Sequence, residues 1–557
     1  MRHGGLRTPV LVSLAVLSLL AGLGGCSATS DRDTADEELE RILAQRDASR
    51  VSAGSRSTAR AEGTRRLEVL LPPTALRGAE GLACRSGSVL VAERLADRIS
   101  EIHPDGSVSR FSTPPELIDP RDLAFADTLG LFVASGEAGG LWNEQGGRWR
   151  RIAPDLSEAT GVATAAGRVF VAECARGGRV VEIEPASGRV LGVRAEKLGC
   201  PGRIAIDDAG ALLVPLQDKG TVVRIDPASG ATSVALQGID LPTAVGRATD
   251  GSWLVLEAGT GRLRRLADGA AAPVQLTPGI ADLVVCGETL LVSVGSTGAV
   301  HAFKPWPVGA RVLVEGGLVS PGGIALDGAD VLVADRVSIK RIRGRKATLV
   351  VLARPDGLPP PVGLTTGLPG IAWATAPDQG LLVQVDLARG EVLRLATGLD
   401  WPTAVARNPT GTLVVAETGA GRVIEVGGGA VGQTLGSSLM SPVAVAIRGE
   451  SVLAAEPEGG RILALRNGEP PALLASGFSG PSGLASDLRR PIFVAEERSG
   501  RILQHGMDGS DRKVATGLAL RTRADRLPLP VPIALDQDGS VVVASPEDGS
   551  VVRIVPE

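Results

Sequence analysis

An all-β architecture of short, turn-bounded strands is what this sequence predicts, on three observations. Gly (73) and Pro (37) are frequent in the 557 residues, which favours many turns over long helices. Aromatics are scarce, with seven Phe, six Trp and no Tyr, so the core must be built from Val, Leu, Ile and Ala. Past residue 66 one pattern repeats at intervals of about forty residues, the period of a four-stranded propeller blade. Together these predict a β-propeller of twelve four-stranded blades, arranged as two six-bladed propellers in tandem.

The chain begins with Arg2, His3 and Arg7, then an apolar run from Val10 to Leu20, then Leu23-Gly24-Gly25-Cys26. That run is too short for a stable membrane span and fits a secretory signal peptide over residues 1–25. The last four residues resemble the lipobox of bacterial lipoproteins. The resemblance implies cleavage before Cys26 and acylation of its thiol, so that the lipid bilayer becomes a partner through Cys26. Ser27, rather than Asp, follows the cysteine and points to the outer membrane of the cell envelope. Residues 26–65 are rich in Ser, Thr, Ala, Arg, Asp and Glu and read as a flexible tether, because such a segment cannot bury enough surface to offset its ordering entropy.

The blades follow. The clearest unit is Pro321-Gly322-Gly323-Ile324-Ala325-Leu326, then Val331-Leu332-Val333-Ala334-Asp335, Lys340-Arg341-Ile342 and Ala347-Thr348-Leu349-Val350-Val351, four β-rich runs between turns. Its second run recurs from Val89-Leu90-Val91-Ala92 through to the copy centred on Val542. Blade 321–342, and 481–502 with it, resemble NHL repeats. The wider group includes six-bladed propellers of the SMP-30/gluconolactonase and virginiamycin B lyase type. The resemblance covers residues 67–557 and is specific for fold, not for function.

Wheel boundaries are expected at 66–308 and 309–557. Arg66-Leu67-Glu68-Val69-Leu70-Leu71 reads as an outer strand with no blade before it, and Val551-Val552-Arg553-Ile554 as a third strand with none after it. Closure without a bare edge then assigns residues 66–71 to the sixth blade and Arg311-Val312-Leu313-Val314 to the last. A single twelve-bladed ring is the alternative, with a channel too wide for side chains to fill.

Seven blades end the second strand with an acid: Glu93, Glu173, Glu257, Asp335, Glu417, Glu456 and Glu496. Each is followed by an arginine, in order Arg98, Arg179, Arg262, Arg341, Arg422, Arg461 and Arg501, and blades without the acid lack the arginine. Acid and base kept or lost together describe a cross-strand structural pair, worth about 0.2–1 kcal/mol if exposed, not a metal site.

No catalytic set emerges. The gluconolactonase resemblance would make Glu80, in Ala79-Glu80-Gly81-Leu82, a first metal ligand, but Asn143, Asn408 and Asn467 do not sit where that family's other ligands fall. His103, His301 and His505 lie at or just past third strands and read as structural. The net charge of −4 leaves no footprint for nucleic acid. An exported chain meets an oxidising environment, and Cys174 and Cys200 sit on loops of one face, a candidate disulfide; Cys84 and Cys286 are expected to stay as buried thiols. The insertion 517–530, with Arg521, Arg523 and Arg526, is the candidate loop for an anionic partner. The expected function is therefore a membrane-anchored, extracytoplasmic scaffold for an unknown protein or small molecule, without a cofactor. The alternative is a metal-dependent lactonase or lyase of the six-bladed type, which would require Ca²⁺ or Zn²⁺.

Overall fold

The computed structural model describes residues 59–556, apart from 64, 86, 127, 138, 355–356, 428–429 and 523–527. The expected signal peptide and Cys26 lie outside the described residues, as do Arg523 and Arg526.

Among the described residues twelve antiparallel sheets follow one another, eleven of four strands and one of five. Burial explains the repeat. The second strand of each blade is sandwiched between neighbouring blades on both faces, so it carries a continuous apolar run: all of Ser88–Glu93 and all of Ser451–Glu456 are buried. The outermost strand has a wet face, and Val190–Glu196 is largely exposed. Inner strands approach so closely that a side chain would not fit at some positions. A Cβ on Gly161 would lie 2.6 Å from the Gly202 carbonyl, and one on Gly483 would lie 2.5 Å from that of Val531. Among the described residues no helix is long and apolar enough to cross a membrane.

The blades close into two rings of six. At one junction Leu76, Leu82, Val91 and Ile102 of the first blade pack against Leu291, Val300 and Ala302 of the sixth. At the other, Ile324, Val331 and Val333 of the seventh pack against Val542, Ala544 and Val551 of the twelfth. We call blades one to six wheel one and the rest wheel two.

The strand exchange at the wheel ends is the reverse of the sequence expectation. Arg65–Leu71 pairs with Val551–Pro556 and completes the twelfth blade, with Leu67 opposite Ile554. Ala310–Val314 pairs with Ala299–Phe303 and completes the sixth. The boundary at residues 308/309 is corrected accordingly: residues 310–314 belong to wheel one, residues 65–71 to wheel two. Local closure wins because a short hairpin brings residues 310–314 beside residues 299–303 at little entropic cost. Wheel one is thus inserted into wheel two, between the strand Arg65–Leu71 and the blades that follow residue 320. The end of the expected tether is also structured, since Arg60–Ala61 adds a fifth strand beside Asp511–Thr516.

Among the described residues two disulfides are present. Cys174 and Cys200 are joined with their Cα atoms 4.3 Å apart. Cys84 and Cys286 are joined too, Cα to Cα 5.6 Å, which corrects the expectation of free thiols there. Ring closure brings together two strand ends that lie far apart in sequence.

Of the seven acid–arginine pairs, five form as expected. Arg98 meets Glu93 at 2.6 Å, Arg179 meets Glu173 at 2.5 Å, Arg422 meets Glu417 at 2.5 Å and Arg501 meets Glu496 at 2.8 Å, and Arg461 pairs with Glu456. Two differ. Asp335 takes Lys340 at 2.5 Å, while Arg341 turns to Asp327 and Asp330. Glu257 accepts from Thr260 at 2.9 Å and lies 3.5 Å from Arg264, while Arg262 bonds Gln275.

The acids are buried, Glu93, Glu173, Glu417 and Glu456 completely. Each also accepts a backbone N–H from the loop before its blade, such as Arg77 to Glu93 at 2.7 Å and Asp400 to Glu417 at 2.8 Å. The pair is a staple that ties an entry loop to the outer hairpin. In blade two, where the acid is absent, Ser135 donates to the Ile118 carbonyl at 2.6 Å and makes the equivalent tie.

Candidate functional site

The axis of wheel one carries a buried charged cluster. Inner strands here are interrupted by register shifts, between Ala79 and Leu82, between Pro120 and Asp122, and between Ile280 and Leu283. Bulges of this kind re-aim side chains and suit them to a site. At these irregularities stand Glu80, Asp122 and Asp282. Blade four contributes Arg203 from the stretch just before its inner strand Ala205–Ile206.

Arg203 spans the channel. Its guanidinium donates to Glu80 Oε2 at 2.5 Å, to the Ala281 carbonyl at 2.9 Å and to the Arg121 carbonyl at 2.9 Å, and its Nε lies 3.7 Å from Asp122 Oδ1. Its side chain is only 7% exposed. Asp122 accepts from the Val162 N–H at 2.8 Å and Asp282 from the Leu82 N–H at 2.7 Å, so each carboxylate stitches its blade to the next. Ser293 donates to the Glu80 carbonyl at 2.7 Å and Thr160 to that of Pro201 at 2.6 Å.

Three carboxyls face one guanidinium in a water-poor space, which cannot hold all of them ionised. Burial pushes the Asp122 carboxyl up to about 8, and the charge of Asp282 adds to this, against the opposing pull of Arg203 and two N–H groups. Burial pushes Asp282 up to about 6, held back by Arg203 and the N–H groups of Leu82 and Leu283. For Arg203, burial works against the charge, but Glu80, Asp282 and Asp122 outweigh it and raise its value. Asp122 is raised furthest and is therefore the carboxyl of the cluster that keeps its proton to the highest pH.

This donor set does not fit a hard divalent cation. The carboxylate that the family resemblance would make a first ligand, Glu80, is committed to Arg203, and any cation among the three carboxyls would meet the guanidinium's charge. Among the described residues no group of three or more His, Cys, Asp or Glu is placed to hold a metal. The histidines stand apart from the cluster. His103 bonds Ser109 at 2.8 Å, His505 bonds Asp511 at 2.8 Å, and His301 sits on the third strand Ala299–Phe303 with its pKa lowered by burial. The matching inner-strand irregularities of wheel two carry Gly322, Thr403 and Ser482, and Thr403 is bonded to Thr418 at 2.6 Å.

Above the cluster lies a cavity of about 530 Å³. Its floor is the mouth of wheel one, with Glu80, Thr243 and Ala281; its roof is wheel two, with Leu352, Pro359, Pro360 and Leu381. Three cationic side chains fix the wheels around it. Arg354 grips Asp240 with two hydrogen bonds of 3.0 and 2.8 Å and also donates to Gly259 at 2.9 Å. Lys340, 1% exposed, donates to the carbonyls of Ser296 at 2.6 Å and Gly317 at 2.7 Å, besides Asp335. Arg77 donates to the backbone carbonyls of Val319 at 2.7 Å and Glu547 at 2.6 Å. The Cys174–Cys200 disulfide stands at the rim, three residues before Arg203. Arg521 is exposed, on a loop whose Thr522 is held by Glu497 at 3.0 Å.

No protein-family model matches the chain, and no curated protein matches it in sequence. Solved structures do. The extracellular domain of a protein described as a hybrid two component system from B. thetaiotaomicron is 10% identical, over 88% of this chain and 82% of that one, with a TM-score of 0.33. A protein described as a gluconolactonase is 16% identical over 46% of this chain and 99% of its own, TM-score 0.35. Virginiamycin B lyase from Staphylococcus aureus is 14% identical over 54% of this chain and 91% of its own, TM-score 0.22. At such scores the likeness carries no argument about this chain's chemistry, and the propeller architecture rests on the twelve sheets themselves.

Proposed function

We propose that this chain is a lipid-anchored, extracytoplasmic binding protein that takes its ligand in the cavity between the two wheels. One observation carries the reading: directly beneath that cavity the axis of wheel one is filled by Arg203, which engages the carboxylates a metal-dependent enzyme would need free. What remains is a concave, mostly apolar space with a few convergent polar groups, the usual character of a small-molecule site. The two disulfides support an oxidising compartment, as does the signal-like start with its lipobox-like Cys26.

The test has two arms on the purified protein. In the first, elemental analysis is paired with a lactone-hydrolysis screen; stoichiometric metal whose chelation abolishes turnover would overturn the reading. In the second, a metabolite library is screened by thermal shift against the wild type and Leu352→Trp, which fills the cavity from its roof. Ligands that stabilise the wild type and not the variant support the assignment; ligands that stabilise both bind elsewhere and count against it.

A further inference from the structure

The two wheels are closed by different devices. In wheel two the last blade borrows its outer strand, Arg65–Leu71, from the far end of the chain, so a hydrogen-bonded ladder completes the ring. In wheel one every blade, from 79–111 to 280–314, is built from four consecutive strands. Blades one and six are therefore the only neighbours in wheel one that are neither consecutive in the chain nor joined by a shared strand. At that seam the structure places the Cys84–Cys286 disulfide, linking the ends of the two innermost strands, Ala79–Arg85 and Ile280–Cys286.

We propose that this disulfide is the clasp of wheel one, and that its reduction opens the ring along the seam between blades one and six. The remaining ties there are noncovalent: Leu82 N–H to Asp282 at 2.7 Å, Ser293 to the Glu80 carbonyl at 2.7 Å, Arg203 reaching both sides, and the apolar contact of Leu76, Leu82, Val91 and Ile102 with Leu291, Val300 and Ala302. Both cysteines are half-buried at strand ends, next to turns, within reach of a small thiol. The exchange balances with a dithiol as reductant. Its thiolate attacks one cysteine sulfur and breaks the Cys84–Cys286 bond; its second thiol then resolves the mixed disulfide, leaving two cysteine thiols and an oxidised, cyclic dithiol. Cys174–Cys200 has a different role, since it spans only 26 residues between blades already consecutive in the chain, whereas the clasp spans 202. Opening would dismantle the floor of the inter-wheel cavity, because Glu80 and Ala281, which line it, stand on opposite sides of the seam.

The experiment uses the full mature chain and hydrogen exchange read by mass spectrometry. In Cys174→Ser/Cys200→Ser, which keeps the clasp alone, excess dithiothreitol should raise exchange in the strands of blades one and six by at least about tenfold, as expected when a local opening becomes easier, and leave blades eight to eleven unchanged. Cys84→Ser/Cys286→Ser should show the same fast exchange without reductant. Seam protection that survives complete reduction overturns the proposal. So does alkylation of Cys84 and Cys286 as free thiols in the unreduced protein. If the clasp-less variant does not fold, reduction of the natively folded Cys174→Ser/Cys200→Ser protein decides the matter alone. Ligand binding enters none of these readouts, so the clasp and the proposed function stand or fall separately.

Discussion

Asp122→Asn should flatten part of the pH dependence of stability. Asp122 is 4% exposed, and burial, followed by the charge of Asp282, lifts its carboxyl from 3.8 to about 8. Between those values the folded chain holds a proton that the unfolded chain has released. A group raised in the folded state contributes stability that is fully present below its unfolded value and lost as the pH climbs through the folded one. The slope between the limits is about 1.4 kcal/mol per pH unit. From pH 6 to pH 8 this one group should cost the wild type about 2 kcal/mol, allowing for its partial titration near 8. Asp282, raised to about 6, is already half ionised where that window opens and adds little within it. Asparagine is neutral throughout and retains an acceptor for the Val162 N–H, bonded at 2.8 Å in the wild type. Denaturant unfolding of both proteins at the two pH values gives the comparison, with surface titrations cancelling in the difference. The stability of the variant relative to the wild type should rise by about 2 kcal/mol between pH 6 and pH 8. A difference that stays flat, or falls, would refute the stored proton and the charge accounting of the axis.

Further tests follow from the staples and the seam. Arg422→Ala strips the 40% exposed partner from a completely buried Glu417, which keeps the Asp400 N–H, and should cost about 1–3 kcal/mol in denaturant unfolding, whereas Arg262→Ala, which does not engage Glu257, should stay within about 0.5 kcal/mol. Lys340→Met leaves Asp335 buried and unpaired at the junction of the wheels; it should cost about 3–5 kcal/mol and split one calorimetric transition into two. Cys26→Ser should shift the exported protein from the detergent phase to the aqueous phase in a Triton X-114 partition, and an unchanged partition would remove the acyl anchor.

The blades were legible because their second strands are buried on both faces and so spell unbroken apolar runs, which period and length identify without knowledge of partners. The staples were legible where the hairpin between second and third strands is regular, as from Glu93 to Arg98, which lie directly opposite one another. In blade seven that hairpin is shorter: Asp335 lies opposite Ser338, so Lys340 falls on the acid's side and Arg341 on the other. A change of turn length moves every side chain relative to its partner, and spacing alone does not reveal it. Ring closure misled for a related reason. Residues 66–71 and 311–314 have similar apolar alternation, and only the cost of bringing each to its partner separates the two assignments. The axial cluster was missed because Arg203, Asp122 and Asp282 come from three blades and are united only by ring geometry. The available signal was an acid inside an otherwise apolar inner strand, as in Asp282 between Ala281 and Leu283; at Asp122 the preceding Arg121 masked it.

The pairing of Leu67 with Ile554 also governs how the molecule is made. The strand that finishes the last blade is made before any of the twelve blades' inner strands, and it must wait with its edge unsatisfied while nearly the whole polypeptide is synthesised. A translation product cut short anywhere in its second half never fills that position and keeps a bare edge for proteases and chaperones to find. Completion of the fold thus doubles as a check on chain length, and only an intact polypeptide passes it.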